Sequence, residues 1–279
     1  MIIDFHTHFY PEKIRARAMA SVEGKIVPAT DGGRDGLIRS METNGINLSV
    51  GLPLVNTPHN ARGVNAWAAT EDRGPVRMLG SLHPEDPDWR GSLAYIVDHG
   101  FPGIKLHPEY QLFEFSDERF FPIWEACEKA GLFLLTHAGF DINFPAPYKT
   151  DPEKLARFHR RFPGLRLVLA HLGSMSMWDD VEKYLVGLPV WFDTAMIDET
   201  WIRPEQLLRI IRGHGADRIL FGTDSPWMDQ AKPLALLRSL PLAKEELDAI
   251  LGGNAARLLR LQEKDADSGP NQEKTAGRM

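Results

Sequence analysis

Eight short β-rich runs alternate with longer stretches of helical periodicity along this chain, and that alternation limits its possible folds more than any other feature. The runs are Met1 to Phe5, Ile46 to Leu52, Val76 to Leu82, Gly103 to Leu106, Leu132 to Thr136, Leu165 to Ala170, Val190 to Asp193 and Arg218 to Gly222. Each stops where Gly, Pro or polar residues begin. Between them, apolar spacing predicts helices over Asp35 to Thr43, Ala61 to Asp72, Trp89 to Asp98, Asp117 to Ala130, Pro152 to Arg161, Trp178 to Tyr184 and Pro204 to Arg212. Ser116 and Asp117 can cap a helix that Gly131 ends, and Asp151 with Pro152 forms an N-cap and first-turn pair. Eight such units in 279 residues predict an α/β fold, a (β/α)8 TIM barrel with extra C-terminal helices in LALLRSL, EELDAILGG and NAARLLRL. A doubly wound open sheet competes, but no GxGxxG follows the first run. The barrel domain spans 1–261, and the polar tail 262–279 is expected to be disordered.

A barrel of this kind carries its chemistry where strands finish. His6 and His8 end the first run in DFHTH, Lys105 and His107 the fourth in GIKLHP, His137 the fifth in LLTHAG, His171 the sixth in LAHLGS, and Asp224 the eighth in LFGTDSPW. His83 ends the third, so six of the ten histidines fall at strand ends, too many for chance. Strand alternation places Asp4, His6 and His8 on one face, where two neutral imidazoles can converge on a divalent metal such as zinc. Asp4 can face the pocket, hold a backbone amide or orient a ligand histidine; Asp193 in WFDTA is open in the same way. His83, before a Pro, reads as a turn residue. His59, His99, His159 and His214 lie away from the strand ends and read as solvent-exposed or locally hydrogen-bonded.

Composition narrows the partner. Net charge is −6 with scattered basic residues, which argues against nucleic acid and for a small-molecule substrate. No run approaches the 18 apolar residues of a membrane span, and the N-terminus shows no signal pattern, so a cytoplasmic protein is expected, with a homodimer as one possible assembly. The single cysteine, Cys127, reads as core within FFPIWEACEKAG.

Together, DFHTH, GIKLHP, THAG, AHLG, FGTDSPW and GNAARLL resemble the amidohydrolase superfamily of metal-dependent TIM barrels, in its amidohydrolase-related subgroup with the relatives of aminocarboxymuconate-semialdehyde decarboxylase. The resemblance runs from Ile2 to about Leu261. It implies His6, His8, His137 and Asp224 as metal ligands, His171 as a catalytic histidine, and hydrolytic or decarboxylating chemistry. Three imidazoles and a carboxylate suit zinc and are compatible with manganese, iron or cobalt. A metal there can pull a water pKa towards about 7, giving a nucleophile without serine or cysteine. Asp224 can take the proton, and His171 can stabilise developing charge. In some branches a carboxylated lysine at the end of strand four bridges two metals, and Lys105 could do so; the subgroup favours one metal, with Lys105 or His107 on a substrate carboxylate.

The leading expectation is therefore a hydrolase acting on a C–O or C–N bond of a small, anionic or cyclic substrate. The alternative is a decarboxylase of an aromatic or unsaturated acid, for which Lys105, Phe140, Phe144 and Trp227 offer a cation and an apolar wall. A metal held only for structure fits poorly with a histidine-rich site at the functional face. The loop from Phe9 to Gly33 and the segment Phe140 to Thr150 are expected to shape the pocket.

Overall fold

Nine strand segments run parallel in sequence order: β1 Ile3–Thr7, β2 Leu48–Gly51, β3 Val76–Met78, β4 Gly80–Ser81, β5 Gly103–Leu106, β6 Phe133–Thr136, β7 Arg166–Leu169, β8 Trp191–Asp193 and β9 Ile219–Leu220. The computed structural model describes residues 1–261, so the tail expected to be disordered lies outside the described residues. The third expected strand is divided at Leu79. Its first part pairs with β2 and its second with β5, so one extended segment still joins two sheets. Backbone bonds close the ring: Phe5 N–H donates to Phe221 O at 2.7 Å, Asp224 N–H to His6 O at 2.8 Å and His8 N–H to Ser225 O. The result is the (β/α)8 barrel.

Helices connect successive strands as expected, with adjusted ends. Trp89–Asp98, Pro152–Arg161 and Trp178–Tyr184 occupy the forecast spans, and Asp151 accepts the Lys154 N–H as an N-cap at 2.9 Å. The forecast helix over Asp117 to Ala130 is instead a 3₁₀ turn, Glu118–Phe120, followed by an α-helix, Phe121–Lys129. Pro122 explains the break, because it lacks the N–H that would continue the ladder and is tolerated only in a first turn. The long first loop is also more regular than expected, containing the helix Glu12–Ala20. No helix among the described residues is long and apolar enough to cross a membrane.

Two apolar layers hold the barrel. The outer one packs alternate strand residues such as Leu106, Leu134, Leu167 and Phe192 against the helices, and it contains Cys127, whose thiol burial pushes up to about 12. The inner one fills the lower barrel with Ile3, Phe5, Leu79, Phe133, Leu135 and Val168. The helix Asn254–Leu259 adds Ala255, Leu258 and Leu259 to it. Gly252, just before that helix, lies so close to Met1 O and Ile3 N that the helix must cover the N-terminal mouth. Gly103 is equally constrained, since a Cβ there would meet the Phe133 ring at 2.5 Å.

His159 and His214 depart from expectation: both are buried. His214 stacks on Phe192 at 3.9 Å and donates from Nε2 to Val190 O at 2.9 Å, so it is a satisfied core histidine.

Candidate metal centre

The first strand does not keep its alternation. Asp4 pairs with Ser49 and Thr7 with Gly51, so three steps on β1 match two on β2, a β-bulge. The expectation that Asp4 shares a face with His6 and His8 is corrected by this extra residue. Ile3 and Phe5 enter the barrel interior and Asp4 turns away. The Asp4 carboxylate accepts the N–H of His6 at 3.2 Å and of Thr223 at 3.0 Å, the Thr223 hydroxyl at 2.5 Å and the Gln230 amide at 2.7 Å. It thereby satisfies the His6 N–H, which the bulge removes from regular pairing, and ties β1 to the segment after β9. Burial pushes its carboxyl up to about 7 against those hydrogen bonds.

Past the bulge, His6 and His8 both point into the upper barrel. His6 Nε2 lies 3.2 Å from His8 Nε2 and 3.3 Å from Asp224 Oδ1, and His8 Nε2 lies 3.1 Å from the same oxygen. Lys105 Nζ is 3.3 Å from His6 Nε2. His171 Nε2 faces His137 Nδ1 at 3.0 Å, and His171 groups with His6 and Asp224 with all ligand atoms within 4.8 Å. His137 groups instead with His107 and Asp141. Trp227 follows Asp224, donates its N–H to the Asp224 carbonyl at 2.8 Å, and sets its ring 6.1 Å from Tyr10. Phe144 lies against Tyr110 and His107, and Phe140 against Tyr148 and Trp201, so the Phe140 to Thr150 segment stands beside the strand ends. His83 is a buried turn residue that accepts the Glu85 N–H.

Proton placement tests whether these residues fit a cation. His8 Nδ1 meets the Leu52 carbonyl at 3.0 Å and His171 Nδ1 the Ala195 carbonyl at 3.1 Å; a carbonyl only accepts, so both Nδ1 atoms carry the hydrogen. His6 Nδ1 donates to Asp193 Oδ2 at 2.8 Å, whose other oxygen accepts two backbone N–H groups. The Nε2 lone pairs of His6 and His8 and the Asp224 carboxylate therefore converge with no proton between them, while the Nε2 of His171 accepts the Nδ1 hydrogen of His137. Burial, together with positive Lys105, holds the His6 ring well below its ordinary pKa and so neutral. Burial raises the Asp224 carboxyl, but the net shift is below the usual range, because any proton the cluster holds goes to His6 or His8 rather than to the carboxylate, and Asp224 is ionised. Three converging donors without a hydrogen repel one another unless a cation lies among them, and the Lys105 ammonium touches only His6 of the three. Spacings of 3.1–3.3 Å also match what ligand bonds of about 2.0–2.1 Å give around a small ion. The residues fit a divalent metal.

Two strained turns carry the site. His171, Leu172 and Asp224 have φ of 59°, 56° and 67°, left-handed values that cost L-residues of order 1–3 kcal/mol each. Hydrogen bonds from Leu172 N–H to Asp193 O and from Asp224 N–H to His6 O hold them there. Gly222, just past β9, lets that strand approach β1, since a Cβ would lie 3.0 Å from His6 Cβ. The residues that sequence reasoning underweighted are the ones behind the ligands. The strand-end position of Asp193 is a sequence signal for its place behind His6, whereas the Leu52 and Ala195 carbonyls carry no side-chain signature.

Solved structures share this architecture over nearly their whole length. The 5-carboxyvanillate decarboxylase of Sphingomonas paucimobilis superposes with a TM-score of 0.73 at 17% identity, covering 94% of this chain and 99% of its own. The 2,6-dihydroxybenzoate decarboxylase from Rhizobium gives 0.70 at 19%, covering 93% and 98%. The 5-carboxyvanillate decarboxylase of Novosphingobium aromaticivorans, complexed with manganese and 4-hydroxy-3-methoxy-5-nitrobenzoic acid, gives 0.72 at 16%, covering 94% and 96%. These relatives correct the leading expectation of a hydrolase, because their named reactions break carbon–carbon bonds. The expectation failed for a physical reason: a nitrogen-rich donor set with a free position serves a substrate oxygen as well as a water, and so does not choose between the chemistries. The amidohydrolase family model matches residues 3–261, and the chain belongs to the amidohydrolase family.

Proposed function

We propose that this protein is a metal-dependent carbon–carbon lyase that removes CO2 from a small aromatic carboxylic acid. The observation that carries the reading is the convergence of His6 Nε2, His8 Nε2 and Asp224 Oδ1 within 3.3 Å of one another, their hydrogens fixed elsewhere. The named activities of the structural relatives point the same donor set towards decarboxylation.

His6, His8 and Asp224, with His137 as the resemblance implies, hold one divalent ion. When bound, that ion supplies a positive centre for the substrate carboxylate or a neighbouring ring oxygen. Manganese in a relative makes it the first metal to test, ahead of the zinc that the donor set alone suggested. In the reaction the bond from ring carbon to carboxyl carbon breaks, its electron pair stays on the ring and a proton replaces CO2. His171 can take up a proton at its bare Nε2 and pass it on, because its Nδ1 hydrogen is already engaged by the Ala195 carbonyl. Lys105, lowered to about 8 mainly by burial, retains a positive charge at neutral pH for a substrate anion. Tyr10, Trp227 and Phe144 flank the approach and exclude water from the ring.

The test is CO2 release from mono- and dihydroxybenzoic acids and their carboxylated relatives, after reconstitution with manganese, zinc or cobalt. Release that disappears on chelation and returns with metal is expected. Undiminished release from fully metal-free protein, or none from any acid with metal restored, overturns the proposal.

A further inference from the structure

His6, His8 and His171 each have an acceptor behind the ring that fixes its plane. His137 differs: its Nδ1–H donates at 3.0 Å to the Nε2 of His171, another ring rather than a carbonyl or carboxylate, and its Nε2 is buried without a partner. That bond holds one edge of the ring, and a contact on its face must fix its tilt. We infer that His107 does so through its face, and that it is a positioning residue for the metal centre rather than a contact for substrate. The inference rests on the proposed role of His137 as a metal ligand.

The ladder creates the arrangement. β5 and β6 pair in register up to Leu106 opposite Thr136, so the next residues, His107 and His137, stand abreast at neighbouring strand ends. Their rings stack at 4.1 Å between centroids and 8° between planes. His107 is itself held by three neighbours. Its Nε2 lies 3.2 Å from Asp141 Oδ2, Tyr110 meets it edge-on at 4.6 Å, and its backbone N–H donates to Gln111 Oε1 at 2.9 Å. Gln111 in turn donates to the carbonyls of Val55 and Leu82. A rigid platform thus lies flat against His137.

The same geometry argues against the other reading of this cluster. His107, His137 and Asp141 bring ligand atoms within 4.8 Å of one another, as a second metal site would. Imidazole lone pairs lie in the ring plane, however, and two nearly parallel planes do not meet. An ion about 2.0–2.1 Å from both nitrogens would sit off both lone-pair axes. Stacking is what this pair of rings can do.

The experiment measures affinity for manganese by competition with a chromogenic chelator, and follows the visible spectrum of the cobalt-loaded protein. Wild type is compared with His107→Phe, which keeps a flat ring, and with His107→Ala and His107→Asn, which do not. The alanine and asparagine variants are expected to bind manganese about 10–100-fold more weakly, the usual scale for losing a group that orients a ligand. His107→Phe should stay within about threefold of wild type and keep its cobalt spectrum. Melting curves show which variants fold, and the phenylalanine-to-asparagine contrast survives the loss of the alanine protein. Unchanged affinity in the asparagine variant, with only KM for substrate raised, overturns the inference in favour of substrate contact. So does equal weakening in all three. A His137→Ala protein that binds manganese as tightly as wild type, or a wild type that binds none, overturns the ligand reading beneath it.

Discussion

The lower and upper halves of the barrel interior are built by the same strands and hold opposite chemistries. Below, Phe5, Phe133, Leu135 and Val168 interlock under the helix Asn254–Leu259. Above, at the ends of the same or neighbouring strands, stand His6, Lys105, His137 and Asp224, all buried. The lower half gains stability from removing apolar area from water, about 25 cal/mol per Å². The upper half gathers lone pairs and a carboxylate that favour no fold unless a cation joins them. One half keeps the barrel closed so that the other can remain chemically unsatisfied.

Four experiments can break or sharpen that contrast. The largest effect is expected from His6→Ala combined with His8→Ala: loss of bound metal and at least about a 10³-fold fall in turnover, the scale of removing a main electrostatic stabiliser. The melting temperature of the metal-free protein should hardly move; a large drop would mean that the upper half supports the fold. The converse variant, Phe133→Ala, should cost about 3–5 kcal/mol in denaturant unfolding. Its folded fraction should still take up metal as wild type does, and failure to do so would join the two halves.

Third comes pH. His214 is a buried histidine of the outer layer, lowered to about 4 mainly by burial. A base with a depressed folded pKa contributes stability that is complete above its unfolded value near 6.5 and is lost as pH falls through the range down to about 4. Acidification should therefore remove up to about 3 kcal/mol through this ring, and His214→Gln should flatten that slope in urea melts at pH 7.5 and pH 4.5. An unchanged slope would assign acid sensitivity elsewhere. The smallest effect is expected from Asp193→Asn, which weakens the acceptor behind His6. Metal affinity should fall about 10–100-fold with little change in melting temperature, and unchanged affinity would deny Asp193 its orienting role.

The barrel was readable in the sequence because strand and helix periodicities differ and each run ended in turn-forming residues. The strand-end histidines followed from that reading. What was hidden depends on contacts between distant segments. Nothing in DFHTH announces a bulge, since the extra residue is visible only against β2. Pro122 marked the broken helix, but apolar spacing on both sides concealed it. The carbonyls of Leu52 and Ala195 that set imidazole tautomers belong to backbone positions, which any side chain could occupy. The choice between hydrolysis and decarboxylation depends on what the free position of the donor set receives, and the donors are the same for both.

The bulge in β1 acts as a change of parity. Before it, odd-numbered residues line the barrel; after it, even-numbered ones do, and a five-residue strand presents Ile3 and Phe5 to the plug and His6 to the donor cluster. A single deleted or inserted residue between Asp4 and His6 would send the histidines outwards without altering the composition of the strand. Transplanting this centre to another barrel therefore means moving the dislocation and the Asp4 carboxylate that heals it, as well as the ligands.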